Sequence, residues 1–229
     1  RIPYYLFYAL TIILLPAISK STAERNVQET EDLVNKSLRL MTFLLFPMVT
    51  LMVAYAPHII NIFYGARYAD AAMPMGIYAI GVGALTVFYV LSFALNGAGL
   101  VKIPMKLAIS GFLGMIILNY LLIPHFELMG AALATTIISL LLMTGILIST
   151  RIHFHTSLRS RTLLWSIISA VAIAFFSFLL PSGPISFIAS GAFLMLTYFA
   201  LLRIAKEITD DDIAPILNLF RNRRAKRSS

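Results

Sequence analysis

Apolar runs at about 3–18, 38–57, 74–95, 103–123, 128–149, 163–180 and 185–204 limit what this chain can fold into. A helix crossing the hydrocarbon core of a bilayer needs roughly 20 mostly apolar residues. Each run reaches or approaches that length, so the expected fold is all-α, a polytopic membrane helix bundle of about seven spans. Composition agrees: 59% of the 229 residues are apolar and 12% are charged, where soluble domains average about 45–50% and about 25%. With no cysteine in the chain, disulfides and thiolate chemistry are excluded. Pro57, Pro74, Pro104, Pro124, Pro181 and Pro184 fall near the run edges, where a residue without an N–H does least harm. Pro16 and Pro47 lie inside or near the end of a run and are expected kinks.

The charges orient the spans. Across seven crossings, all of the 18 Lys and Arg except Arg1 and Arg67 fall on one side of the membrane. Lys and Arg concentrate in cytoplasmic loops, so the Arg1 end is expected outside and the carboxy terminus inside. The net charge of +8 is then loop charge, not a nucleic-acid footprint. The terminal RNRRAKR (221–227) reads as a polybasic run drawn to anionic headgroups, at about 1 kcal/mol per cation near the surface. Ahead of it, TDDDIAPILNLF (209–220) offers Thr209 or Asp210 as a helix cap and places Ile213, Ile216, Leu217 and Phe220 on one face. The loop STAERNVQETEDLVNKSLRL (21–40) is expected to be a helical cytoplasmic elbow running into the second span, with Ser21 and Glu24 at capping-box spacing. The chain enters an apolar run directly after Arg1, without a leader or cleavage site, and is expected to begin within a longer protein.

All ten acidic residues lie outside the runs. A carboxylate inside a span is costly and marks a proton relay, an ion site or a substrate path. A membrane-embedded hydrolase or glycosyltransferase needs such a group or a metal, so neither enzyme activity nor a cofactor is expected. Four histidines remain, His58, His125, His153 and His155; the His153–His155 pair lacks acidic company and reads as a loop pair, not metal ligands. Inside the runs, AIGVGALTVFYVLSFALNGAG (79–99) and GAALATTIISLLLMTG (130–145) carry small residues at the spacing that lets membrane helices pack closely. Tyr78, Tyr89, Asn96 and Asn119 are the polar exceptions, read first as interhelical hydrogen-bonders and second as ligand contacts. Asn119 precedes Pro124 by five residues, about 7.5 Å of helix, which puts it in a hinge region near the outer interface. Pro124 and Gly130 are expected to bracket a tight external turn.

Several of these landmarks recur in a fixed order. LLPAIS (14–19) closes a helix ahead of a polar elbow, and APHIINIFYGARYADAA (56–72) gives a helix end, Tyr-Gly, an aromatic and small residues. NGAGLVKIPMK (96–106), Asn119 with Ile123 and Pro124, and MGAALAT (129–135) follow. The arrangement resembles the carboxy-terminal half of a polysaccharide or lipid-linked-oligosaccharide flippase, in the multidrug/oligosaccharidyl-lipid/polysaccharide exporter superfamily. Beyond Thr150 the resemblance is two further spans and a basic tail.

The resemblance implies a protein of fourteen spans, two six-helix lobes around a central cavity plus two extra helices, of which these would be the eighth to fourteenth. Residues 1–149 would form part of the second lobe, with the elbow at 19–37. Residues 150–204 would add the two extra spans, and 205–229 a cytoplasmic amphipathic and polybasic tail. Completed by an amino-terminal lobe, such a cell-membrane protein would turn an isoprenoid-diphosphate-linked glycan from the inner to the outer leaflet by alternating access. An anionic headgroup suits a cationic cavity, yet the span cores hold no Lys or Arg. Lys102 and Lys106 sit at a cytoplasmic mouth and Arg67 on the outer side. With Asn96, Asn119 and Tyr89 they make the candidate substrate-contact set. The alternatives are a cation-coupled multidrug antiporter of the same superfamily, which would want a buried acid, and a non-transporting membrane scaffold whose basic tail recruits partners.

Overall fold

A computed structural model describes residues 2–154, 156, 160–177 and 186–204. Those residues are almost entirely helical: α1 (Ile2–Ala23), α2 (Val27–Ala54), a short α3 (Ala56–Tyr64), a 3-10 turn (Ala66–Ala71), α4 (Ala72–Gly97), α5 (Lys102–Phe154), α6 (Ser160–Ser177) and α7 (Ser186–Ile204). Val27–Ala54, Ala66–Gly97 and Lys102–Phe154 are each long and apolar enough to cross a membrane. At 53 residues the last would extend about 80 Å if straight, far more than one bilayer core. It is folded back on itself.

The fold sits at Glu127, whose φ of 47° and ψ of −122° break an otherwise helical backbone. Two arms result, residues 102–126 and 128–154. They run antiparallel in a constant register, in which Gly111 faces Leu142, Gly114 faces Ile138 and Gly145 faces Leu107. Gly130 closes the hairpin, since a Cβ there would lie 2.6 Å from the Leu122 carbonyl carbon. The helix passes through Pro124 and resumes before Gly130, so the chain does reverse between them, through a break at the single residue Glu127. Pro124 is carried inside the first arm, two residues before its last helical residue, Phe126. Asn119 consequently lies about 12 Å of helix before the break, not in a hinge, and is half-buried.

The small residues do what their spacing suggests. Thr136 on the second arm donates its hydroxyl to the Ile77 carbonyl of α4 at 2.8 Å. At the same crossing a Cβ on Gly81 would lie 2.9 Å from the Thr136 Cα. Dispersion and interhelical hydrogen bonds, not the hydrophobic effect, drive association inside a bilayer, and both need this proximity. Ile18, Val34, Leu91, Leu95 and Ile146 are fully enclosed where α1, α2, α4 and α5 meet. A second cluster joins Phe43 and Tyr55 to Leu194 and Tyr198 of α7, with Trp165 of α6 against it.

The elbow is helical and continuous with the second span, but its cap is not Ser21. Helix α1 continues past Ser21 to Ala23, and Asn26 caps α2. The Asn26 side-chain oxygen accepts from the Glu29 N–H at 3.2 Å and its amide donates to the Glu29 carboxylate at 2.9 Å. Ser21 is buried, donates to the Ile18 carbonyl and shares a 2.7 Å hydrogen bond with Thr30, tying α1 to α2. Pro16 and Pro47 are both carried inside continuous helices. His153, expected in a loop, is helical, as is His125: each ring Nδ1 lies within 3.0 Å of the carbonyl one turn earlier, of Ser149 and Leu121 respectively. His155 and the expected amphipathic and polybasic segments at 209–227 lie outside the described residues.

Candidate functional site

Helix α2 presents Leu45, Phe46, Val49, Thr50 and Val53 to a cleft of about 680 Å³. Its other walls are Ile80, Gly83, Ala84 and Val87 of α4, Leu140 and Met143 of the second α5 arm, and Ile167, Ala170, Val171 and Ala174 of α6. The opening follows from the packing. A Cβ on Gly83 would lie 2.7 Å from a Val49 methyl, so α4 is already pressed against α2. Helix α6 meets the same region through Ile167, Val171 and two alanines, and the alanines leave space unfilled. The only hydroxyl among the described lining residues, on Thr50, donates to the Phe46 carbonyl at 2.8 Å and offers little to a ligand. The described lining therefore offers apolar contact and no free polar group. Toward the start of α2, the Arg39 guanidinium carbon sits 5.5 Å from the centre of the Phe43 ring, a cation–π contact.

The residues singled out from sequence do not share this cleft. Tyr89 and Asn96 are two turns apart on α4, and Lys102 and Lys106 follow at the start of α5, both exposed and one turn apart. Those four thus gather toward the α4–α5 corner, where Gly99 turns the chain at φ 77°. Asn96 has its side-chain oxygen shut from solvent with no hydrogen-bond partner among the described residues. Arg67 is exposed on the 3-10 turn before α4. The 26-residue α4 separates it from Lys102 by about 39 Å of helix. Asn119 stands about 20 Å along α5 from Lys106. One end of the bundle holds the lysines, the opposite end holds Arg67, and no single pocket unites the set.

Sequence reasoning missed the cleft and counted Arg39 only as a loop-side cation. Arg39, Phe43, Phe46 and Thr50 recur at helical spacing along one face of α2, and that stripe was readable. Among the described residues no group of His, Asp and Glu is arranged to hold a metal.

An all-α bundle with bilayer-length helices, joined through small residues, has the architecture of a polytopic membrane protein. The profile of the family described as lipid II flippase MurJ matches residues 2–201, and the chain belongs to that family. It is 30% identical over 137 residues to a probable lipid II flippase MurJ of Buchnera aphidicola subsp. Baizongia pistaciae, an alignment covering 57% of this chain and 27% of that protein. It is 29% identical over 131 residues to an uncharacterized membrane protein of Methanocaldococcus jannaschii, covering 57% of this chain and 26% of the relative. A solved lipid II flippase MurJ in an inward closed conformation superposes with a TM-score of 0.76 at 19% identity, over 89% of this chain and 44% of that one. That likeness establishes the fold. The chain spans less than half the length of the proteins it matches.

Proposed function

We propose that the complete protein carrying this chain is a flippase for a lipid-linked glycan precursor of the lipid II kind, working by alternating access in the cell membrane. The observation that carries this reading is the family match over residues 2–201. The apolar lining of the bundle and the absence of an acid from the expected span cores agree with a cargo whose lipid tail stays in the bilayer. Residues 1–149 would serve as part of one transport lobe, 150–204 as two accessory spans and 205–229 as a cytoplasmic tail. An amino-terminal lobe supplies the other wall of the path. The α4–α5 corner is cytoplasmic in this reading and the α3 end outer, so Lys102 and Lys106 meet the diphosphate as it enters.

Depleting the complete protein in cells should abolish the lipid-linked precursor that an added hydrolase can reach from outside, while the intracellular pool rises. An unchanged outer pool overturns the assignment, and drug sensitivity in its place would favour the antiporter. Lys106→Ala should lower outer-leaflet precursor severalfold at unchanged membrane abundance; unaltered export removes that lysine from the path. Orientation is checked separately with single cysteines replacing Glu24 and Tyr68, both exposed. An impermeant maleimide should label the second and not the first.

A further inference from the structure

We propose that the cleft between α2, α4, α5 and α6 holds one acyl chain of an anionic phospholipid from the leaflet at the Arg39 end, with its phosphate at Arg39. This is separate from the transport reading, and either can fail without the other. The first argument is depth. The lining runs along α2 from Leu45 to Ala54, about 14 Å at 1.5 Å per residue. That is close to the thickness of one leaflet, half of a hydrocarbon core of roughly 30 Å.

The second argument is level. Helix α2 carries Glu29, Glu31, Asp32 and Lys36 in its early turns, and Arg39 is its last charge before an uncharged stretch that reaches Ala54. Arg39 therefore marks the headgroup boundary, where a basic side chain faces phosphate. Its guanidinium carbon rests 5.5 Å above the Phe43 ring. The same face of α2 continues through Phe46 into the cleft. A lipid whose phosphate meets Arg39 can drop its chain into the opening about one and a half turns deeper.

The third argument selects the occupant. A gap of about 680 Å³ inside a close-packed, lipid-bathed bundle is filled by whatever chain reaches it. Among its described residues the lining has no free polar group, Thr50 being engaged with its own helix. Charge at one end and apolar contact along the rest suit an abundant anionic phospholipid. A sugar-bearing headgroup would find nothing to read it.

The test uses the complete protein in mild detergent, with phosphatidylglycerol and phosphatidylcholine of matched chains added, and counts retained lipids by native mass spectrometry. Wild type should retain one phosphatidylglycerol in preference to phosphatidylcholine by about fivefold, the scale of one cation–headgroup contact. Arg39→Gln should abolish the preference while Arg39→Lys keeps it. Ala170→Leu with Ala174→Leu should cut retention of both lipids, and Ile116→Ala on the exposed arm of α5 should change neither. A melting temperature within the wild-type range shows that each variant is folded. Equal retention of the two lipids by wild type, retention indifferent to filling the cleft, or displacement of a co-purified glycan-bearing lipid in place of phosphatidylglycerol would overturn the proposal.

Discussion

The seam between α4 and the second arm of α5 and the seam between α2 and α6 are both helix contacts in an apolar medium, yet they differ in kind. At the first, Gly81 and Thr136 bring two backbones close enough that no added carbon fits, and a side-chain hydroxyl reaches the neighbouring carbonyl. At the second, Ala170 and Ala174 stand off from Val49 and Val53 across an open cleft. Small residues alone do not close a membrane interface. They close it where a glycine lies directly on its neighbour, as Gly81 does on Thr136 and Gly83 on Val49, and they leave room at Ala170 and Ala174 of α6.

The sharpest way to break this contrast is at the hairpin. Gly130 lies directly on the Leu122 carbonyl, and backbone on both sides leaves nothing flexible to yield. Gly130→Val should therefore cost about 3 kcal/mol or more, at the top of the range for overpacking. Membrane abundance and the unfolding midpoint in mixed micelles read this out. A variant with wild-type stability would show that the two arms can separate freely, and the contrast between seams would lose its basis. Gly81→Ala ranks next, at about 1–3 kcal/mol, because its added methyl meets the Thr136 Cα and hydroxyl. Thr136→Val should cost less, about 0.6 kcal/mol, the average for an interhelical hydrogen bond in a membrane protein. If Thr136→Val proved as damaging as Gly81→Ala, the hydrogen bond and not the close approach would organise the seam.

How much of this was legible in sequence divides along the same line. Features set by a single run of residues were readable: the spans, the helical elbow, the small-residue packing at 130–145. Features set by a choice between adjacent alternatives were not. Ser21 with Glu24 and Asn26 with Glu29 both satisfy the spacing of a capping box, and only burial of Ser21 against Thr30 decides for the second. The reversal between Pro124 and Gly130 was readable, but its placement at Glu127 was not, because it goes with the contact between Gly130 and the Leu122 backbone. The cleft draws on residues 45–57, 80–87, 140–143 and 167–174, so no local pattern could announce it. The candidate contacts were chosen for polarity one at a time, and polarity says nothing about which end of a helix a residue will share with another. Lys102 and Lys106 came out together because they are one turn apart; Arg67 and Asn119 were joined to them by chemistry alone.

The smallest expected effect is the most informative about the open seam. Ala174→Leu places three extra carbons into unfilled space, so it should meet no backbone and force no strained rotamer. Its stability change should fall within about 0.5 kcal/mol of zero, as for substitutions that disturb no packed feature. The same enlargement that is ruinous at Gly130 would thus be silent at Ala174. Unfolding midpoints measured with and without added lipid separate two reasons for that silence. If the cleft is vacant in detergent, the variant matches or slightly exceeds wild type there. Where a chain normally occupies the cleft, wild type gains stability on lipid addition and the variant, already filled, gains less. A loss comparable to that at Gly81 would mean that α6 lies closer to α2 than the cleft allows.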